Sequence, residues 1–237
     1  MSSIGADVKS EFTMIELTHK LSTEVPTWNG SCGFCLGLKK DYDQTFRVQQ
    51  IKMHAGVGTH MDAPAHRFKG GLCIADIPLE QLIVPVCVID VCKEAHADYE
   101  MPLAEIERYE TCYGKIAPGS LVIIYTGWSK FWTNPDVYRG EDERGQMHFP
   151  AISRAVAEHL LARDVVGVAI DTLSPDCLDN DFPVHQVLLG HGKYIIENVA
   201  DCSRMPPNGG YCLALPIRAD EATEAPIRMV GFAPALH

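Results

Sequence analysis

One stretch of the chain concentrates residues that can bind a metal ion. Between His54 and His66 lie three histidines, one carboxylate and two glycines. If the backbone is extended after Gly58, successive side chains alternate between the two faces of a strand, and His60 and Asp62 point the same way. An imidazole and a carboxylate on one face are natural ligands for Zn²⁺ or Mn²⁺. The spacing therefore predicts a metal site.

Further candidates lie around this pair. Pro64 ends the pairing capacity of the strand, so we expect His66 on a loop close to the metal rather than further along a sheet. A hydrolytic metal needs three or four protein ligands and an open position for water. By chemistry, His185 and Glu197 are the best remaining candidates, on a predicted helix and a predicted strand that return towards the sheet.

The elements that must position these side chains are short strands with a few helices among them. Continuous apolar runs of strand length predict strands buried on both faces, and apolar residues three and four apart predict an amphipathic helix. We expect mostly antiparallel pairing in one α/β or α+β domain over residues 1–237. Strands are predicted at 83–91, 120–126, 165–170, 194–198, 211–217 and 226–232, helices at 152–163 and 183–190, a long surface loop at 131–147, and an acidic turn at 220–224.

Composition narrows the class of protein. Hydrophobic residues make up 46% and charged residues 22% of the chain, as in ordinary globular proteins. The formal net charge of −11 argues against nucleic acid or an anionic membrane as a partner. No apolar run has the eighteen or so residues of a spanning helix, and the N-terminus lacks the order of a signal peptide. Nine scattered cysteines fit reduced thiols, so we expect a cytoplasmic protein.

The segment from Gly58 to His66 resembles the signature of the metal-dependent cyclase family, which includes bacterial kynurenine formamidases and isatin hydrolases. The family pattern is His-x-Gly-Thr-His-x-Asp-x-Pro-x-His, and its leading histidine, a metal ligand in the family, is Gly56 here. The nearest histidine, His54, is a further candidate ligand. In an extended chain it would lie about 20 Å from His60, and only a fold-back at the two glycines would bring it close. We therefore expect a second metal position to be distorted or absent. The matching residues are Gly58, Thr59, His60, Asp62, Pro64 and His66.

The resemblance extends beyond this segment. In the family, a histidine followed twelve residues later by a glutamate supplies ligands, and His185 and Glu197 keep that spacing. A Pro-x-Trp-x-Gly loop near the substrate is matched by Trp28, which is equally compatible with packing at the edge of the core. The run that begins at Asp171 is also similar, and we expect this carboxylate to support the ligands from behind. The family implies a swivelling β/β/α architecture, with a barrel-like central sheet and helices packed outside, and a homodimer or homotetramer.

These residues together suggest a reaction. A divalent ion, Zn²⁺ or Mn²⁺ with one or two per chain, lowers the pKa of bound water from about 16 to about 7, and His66 can give a proton to a leaving nitrogen as general acid. Thr59 is expected to hold the loop or to donate to the oxyanion. Trp28, Phe131 and Trp132 could form an aromatic wall for a planar small-molecule substrate.

Several functions fit such a site. The leading prediction is a metal-dependent amidohydrolase, an arylformamidase acting on N-formylkynurenine or a related aryl formamide. A hydrolase of cyclic amides such as isatin, or of lactones, is the alternative within the same class. Because Gly56 replaces an expected ligand, a metal-binding or ligand-binding relative that has lost catalysis also stays open. The presence of His66 argues against that relative, because a pure binding protein has no use for a proton shuttle.

Overall fold

A computed structural model describes residues 10–176 and 181–235 of the chain. The strands within these ranges are mostly short, and most of them belong to one large sheet. Their bounds are β1 (Phe12–Glu16), β2 (Phe34–Lys40), β3 (Val48–Met53), β4 (His60–Asp62), β5 (Ile83–Asp90), β6 (Glu100–Met101), β7 (Leu121–Tyr125), β8 (Ala151–Ile152), β9 (Gly167–Ile170), β10 (Tyr194–Glu197), β11 (Gly210–Pro216) and β12 (Glu224–Pro234).

Seven strands of the large sheet close into a barrel. Their order is β12, β11, β5, β7, β9, β10 and β4, and β4 pairs with the first residues of β12 to close the ring, while β1 pairs with the last residues of β12. Strand β12 is long enough for both roles, because its first residues pair with β4 and the rest with β11 and β1. This barrel with helices outside it confirms the predicted fold class.

Antiparallel pairing prevails among the described strands, as predicted, with six of the ten pairings antiparallel, but four barrel strands form a parallel block. Strands β5, β7, β9 and β10 run parallel to one another. Parallel neighbours need long crossover connections, and helices supply them: α1 (Leu103–Tyr113) between β5 and β7, α3 (Arg154–Ala162) between β7 and β9, and α4 (Pro183–Gly190) between β9 and β10. A shorter helix, α2 (Pro135–Arg139), lies inside the segment that was predicted to be a long surface loop.

The two faces of the barrel wall pack in two apolar clusters. Along β5, Val86 and Val88 belong to a cluster made of strand and loop residues that fills the barrel, while Ile89 belongs to a second cluster shared with the helices. This alternation is the period of two expected of a strand. The second cluster includes Ile106 of α1 and Leu160 of α3, so the helices cover the outer face of the parallel strands.

The ends of two helices are fixed by local sequence. The Ser153 hydroxyl accepts from the Val156 amide at the start of α3, a normal N-cap. Helix α4 begins at Pro183, whose fixed φ suits a first turn. Within the described ranges, no helix is both long enough and apolar enough to cross a membrane.

Candidate metal centre

The three residues of β4 place two polar side chains on the outer face of the barrel. Met61 belongs to the cluster inside the barrel, so His60 and Asp62 on either side of it point outward. Antiparallel pairing sets Glu197 of β10 directly opposite His60 and Glu224 of β12 directly opposite Asp62. Residues directly opposite each other share a face, and the four side chains therefore converge.

The ring of His60 is held by the loop before β4. Its Nδ1 lies 2.9 Å from the carbonyl oxygen of Gly58. A carbonyl can only accept, so Nδ1 carries the proton and the lone pair of Nε2 faces the pocket. The Asn198 side-chain amide donates to the same carbonyl oxygen at 3.0 Å. Gly58 has φ +65°, a conformation that favours glycine.

The ring of His185 is held in the same way by a carboxylate. Its Nδ1 lies 2.6 Å from Asp176 Oδ2, and Asp176 also accepts from the backbone amides of Val184 and His185 in the first turn of α4. Asp176 is fully buried. A histidine that donates one ring N–H to a carboxylate while its other nitrogen is free is the arrangement common in metal sites.

Two imidazole nitrogens and two carboxylates then alternate around one centre. His60 Nε2 lies 3.6 Å from Asp62 Oδ1 and 3.4 Å from Glu197 Oε2. His185 Nε2 lies 3.5 Å from Asp62 Oδ2 and 3.5 Å from Glu197 Oε1. Neighbouring ligands of one ion, at bonds of about 2.0 Å and the tetrahedral angle, lie about 3.3 Å apart. Each neighbouring pair here is close enough to share a cation, and each carboxylate turns one oxygen to His60 and the other to His185.

The hydrogen bonding of Asp62 shows whether these residues fit a cation. Asp62 is 1% exposed, and among the residues that the structure describes its Oδ1 has no hydrogen-bond partner. A buried carboxylate oxygen without a partner is costly, and a positive ion at this point would compensate for it. The donor set of imidazole and carboxylate groups suits Zn²⁺ and Mn²⁺. The residues present therefore fit a divalent ion.

The pKa shifts of the two histidines also indicate that the cluster attracts positive charge. Burial lowers the pKa of His60, but the Asp62 and Glu197 carboxylates outweigh it and raise the pKa to about 9. For His185, burial is likewise outweighed by Asp176, Asp62 and Glu197, and the pKa rises to about 10. The carboxylates thus attract positive charge to both Nε2 positions, as protons or as a metal ion.

His66 lies beside the cluster on a short 3-10 turn, Pro64–His66. Its side chain is 35% exposed, and its Nδ1 lies 3.5 Å from Glu224 Oε2. The contact with Glu224 raises the pKa of His66, against the opposing effect of burial. Ligand atoms of Asp62, His66 and His185 lie within 4.8 Å of one another. His66 is therefore close to the predicted ligands and still open to the solvent.

A pocket of about 410 Å³ opens over these groups. Trp28 lines it, as predicted, and its ring lies 6.0 Å from that of Phe182. Leu173 adds an apolar side chain, and Arg67 adds a positive charge to the lining. The pocket is thus aromatic on one side, with the candidate ligands at its base and His66 among the lining residues.

The predicted positions of Phe131 and Trp132 in the aromatic wall were wrong. Neither residue is part of the pocket lining, and the described wall consists of Trp28 and Phe182 instead. Trp132 stacks on His19 with ring centroids 4.0 Å apart, and Phe131 packs edge-on against Trp128 at 5.0 Å. The short 3-10 turn Trp128–Phe131 directs these rings into a separate apolar cluster.

The suggestion that His54 is a ligand was also wrong. Its backbone amide donates to Gly33 O, which continues the pairing of β3 with β2. The residue is exposed, and within the described part of the chain it belongs to neither group of close ligand atoms. The two glycines that follow it do not fold it back onto the cluster.

Thr59 and Asp171 act on the loops around the site. The Thr59 hydroxyl donates to Asn198 O at 2.6 Å and accepts from the His19 amide, which holds the loop rather than an oxyanion. Asp171 accepts from the amide and hydroxyl of Thr126. Its backbone carbonyl accepts from Tyr138 OH, which also lies 3.0 Å from Asn198 Oδ1. Asp171 is thus connected to the site through Tyr138 and Asn198 rather than by its own carboxylate.

Sequence reasoning missed several groups at the site, and three of them bear on the ligands and the aromatic wall. Glu224 was assigned to an acidic turn, although it begins β12 and faces Asp62. Asp176 precedes α4 by seven residues, and its contact with His185 depends on how that connection folds. Phe182 has no sequence signal of its own beyond its position next to Pro183. Only for Asp176 was a hint available, because a metal-ligating histidine usually has a carboxylate or carbonyl partner.

Known proteins resemble this chain in sequence over most of its length. The Cyclase family model matches residues 15–177. The isatin hydrolase of Roseibium aggregatum is 29% identical, with 99% of this chain and 97% of that protein covered. A kynurenine formamidase of Bacillus cereus is 25% identical, with 91% and 95% covered.

Solved structures share the fold over nearly the whole chain. An isatin hydrolase bound to the product analogue thioisatinate superimposes with a TM-score of 0.91 at 24% identity, covering 98% of this chain and 97% of that one. Isatin hydrolase A from Ralstonia solanacearum gives a TM-score of 0.89 at 22% identity, covering 98% of both chains. The curated relatives are hydrolases, and this chain is an enzyme of that class. It belongs to the cyclase family.

Proposed function

We propose that the chain is a metal-dependent hydrolase that cleaves the carbon–nitrogen bond of an aryl amide. The observation that carries this proposal is the alternation of two imidazole nitrogens with two carboxylates, one of which, Asp62, has an oxygen without a hydrogen-bond partner among the described residues. His60, Asp62, His185 and Glu197 would hold the metal, whether as one ion or two. A bound Zn²⁺ or Mn²⁺ supplies Lewis acidity and lowers the pKa of water.

His66 is the proton donor in this proposal. In hydrolysis, the oxygen of water bonds to the carbonyl carbon, the carbon–nitrogen bond breaks, and the nitrogen leaves with a proton. His66 lies next to the cluster and remains partly exposed. Its raised pKa keeps a larger fraction of the ring protonated near neutral pH, as a general acid requires.

The pocket suits a flat aromatic substrate. The Trp28 and Phe182 rings can pack against an aryl group, and Arg67 can receive a carboxylate, either one already on the substrate or the one that opening of a cyclic amide creates. The sequence favoured an aryl formamide. The isatin hydrolase relative matches at higher identity and over more of the chain than the formamidase, so we place cyclic aryl amides such as isatin first and aryl formamides second.

Two assays in parallel test this proposal. Metal-free protein is reconstituted with Zn²⁺ or Mn²⁺ and incubated with isatin and with N-formylkynurenine. We expect hydrolysis of at least one, and none before reconstitution. A protein that binds the ion fully but hydrolyses neither compound nor a simple lactone would instead favour a binding relative without catalysis.

His66→Gln tests the role of the proton donor. Without a donor to the leaving nitrogen, kcat should fall by about 10²–10⁴-fold, while the amount of bound metal stays the same. The matched control is His148→Gln, since His148 also lies beside a carboxylate but is not part of the pocket lining. Unchanged kcat in His66→Gln would remove His66 from the mechanism.

A further inference from the structure

Gly56 leaves a space beside the candidate ligands, and the carboxylate of Glu224 lies in it. A Cβ built at Gly56 would overlap Glu224 Oε1 and would lie 3.2 Å from His60 Nε2. Gly56 does not need glycine for its backbone, because its φ is not in the left-handed region. The absence of a side chain at residue 56 therefore makes room for Glu224.

The two carboxylate oxygens of Glu224 face different groups. Oε2 lies 3.5 Å from His66 Nδ1, while Oε1 is directed to the space beside Gly56 and His60. The position is set by the barrel, since Glu224 is the first residue of β12 and pairs directly with Asp62. Its side chain is 26% exposed, so it is partly shielded from water.

The surroundings of Asp62 Oδ1 favour a cation on the His60 side of the cluster. Ligand atoms of His60, Asp62 and Glu224 lie within 4.8 Å of one another. Asp62 is almost fully buried, and within the described ranges its Oδ1, the oxygen on the His60 side, has no hydrogen-bond partner. Three carboxylates, Asp62, Glu197 and Glu224, therefore lie beside His60, and a cation here would compensate the buried Asp62 oxygen.

We propose that Glu224 is a metal ligand, which forms an ion position with His60 and Asp62 next to the one that Asp62 forms with His185. The inference rests on the metal centre of the proposed function but not on its substrate. The side chain from β12 takes the space that a side chain at residue 56 would otherwise fill, and Asp62 is shared between the two positions. The chain then holds two ions when saturated.

Metal titration of the full chain tests this proposal without any substrate. Metal-free protein is titrated with Zn²⁺, and separately with Mn²⁺, against a competing chelator, which gives the number of ions and their affinities. We expect two ions in the wild type. In Glu224→Ala and Glu224→Gln, affinity at one position should fall at least about 10-fold, and the other ion should remain.

Control variants distinguish the loss of a metal ligand from the loss of a negative charge and from a failure to fold. Asp220→Asn removes one negative charge from the exposed turn just before β12 and should leave both affinities unchanged. Glu224→Gln keeps the shape of the side chain, so it covers the case in which Glu224→Ala fails to fold. Gly56→Ala should weaken the same ion without removing any ligand, because the added methyl group displaces the carboxylate.

A rescue variant addresses the shared space directly. If residues 56 and 224 serve one ion, Gly56→His combined with Glu224→Ala should restore the affinity lost in Glu224→Ala. Equal affinities in folded Glu224→Gln and Asp220→Asn would overturn the proposal, as would a folded double variant that restores nothing. A fully metallated protein without hydrolase activity would contradict the proposed function but leave Glu224 as a ligand.

Discussion

At the scale of single residues, the candidate centre depends on which nitrogen of each histidine is free. His60 and His185 both have Nδ1 engaged, one by the Gly58 carbonyl and the other by Asp176. This leaves both Nε2 atoms directed at Asp62 and Glu197. The residue types at 60 and 62 and their spacing predicted a common face, but the groups behind the rings are set by tertiary contacts that local spacing does not reveal.

Asp176→Asn tests whether the Asp176 carboxylate supports His185 as a ligand. The amide that replaces the carboxylate is a weaker partner for the ring N–H of His185, so metal affinity should fall by about 10–100-fold. Competition with a chelator measures it. The matched control is Asp98→Asn, which changes a similar contact, with His148 Nδ1 at 2.6 Å, on the exposed surface. Equal affinities in the two variants would show that Asp176 does not tune the site.

At the scale of elements, the site is built where one very short strand bridges two others. Strand β4 has only three residues, and it pairs with β10 on one side and β12 on the other. The sequence predicted this strand from two polar residues and their glycine and proline neighbours. It did not predict the pairing with β12, because that partner lies far along the chain, and Glu224 was missed for this reason.

A partly buried ion pair joins two of the helices that cover the barrel. Glu110 of α1 receives two hydrogen bonds of 2.6 Å from Arg163, which ends α3. The contact with Arg163 lowers the pKa of Glu110 to about 2, below its ordinary value of 4.5. A lowered pKa in the folded state means that the stabilisation is complete above about pH 4.5 and is lost as the pH falls towards 2.

Glu110→Gln should therefore be less stable than the wild type at neutral pH, with a lower urea midpoint. The difference between the urea midpoints of the two proteins should stay constant from pH 7 to about pH 5 and should shrink towards zero as the pH falls to about 2. Urea unfolding at a series of pH values measures it. Glu158→Gln, in the exposed pair with Arg154 on α3, is the control. A midpoint difference that persists at pH 2 would rule out this pair as its source.

At the scale of the whole molecule, closure of the barrel brings together residues that are far apart in the sequence. The candidate ligands come from β4, β10, α4 and, in our further proposal, β12. The order of strands and helices was largely predictable from apolar runs and helical spacing. The parallel arrangement of β5, β7, β9 and β10 was not, because the direction of a strand depends on its crossover helix rather than on its own pattern.

The aromatic residues illustrate the same limit. Trp28 was predicted near the pocket and lies there, while Trp132 was predicted there and stacks on His19 instead. Both are large amphipathic side chains in irregular segments, and composition does not distinguish them. The packing of the loop after β7, held by Asp171 through Thr126, decides where the Trp132 ring goes.

Elemental analysis of the purified protein tests the central claim most directly. After reconstitution with Zn²⁺ or Mn²⁺ and removal of free metal, the wild type should retain at least one divalent ion per chain, and His60→Ala should retain less. Such a result would place the ion at the cluster of imidazole and carboxylate groups on the outer face of the barrel. A folded wild-type protein that retains no ion under any of these conditions would contradict the account.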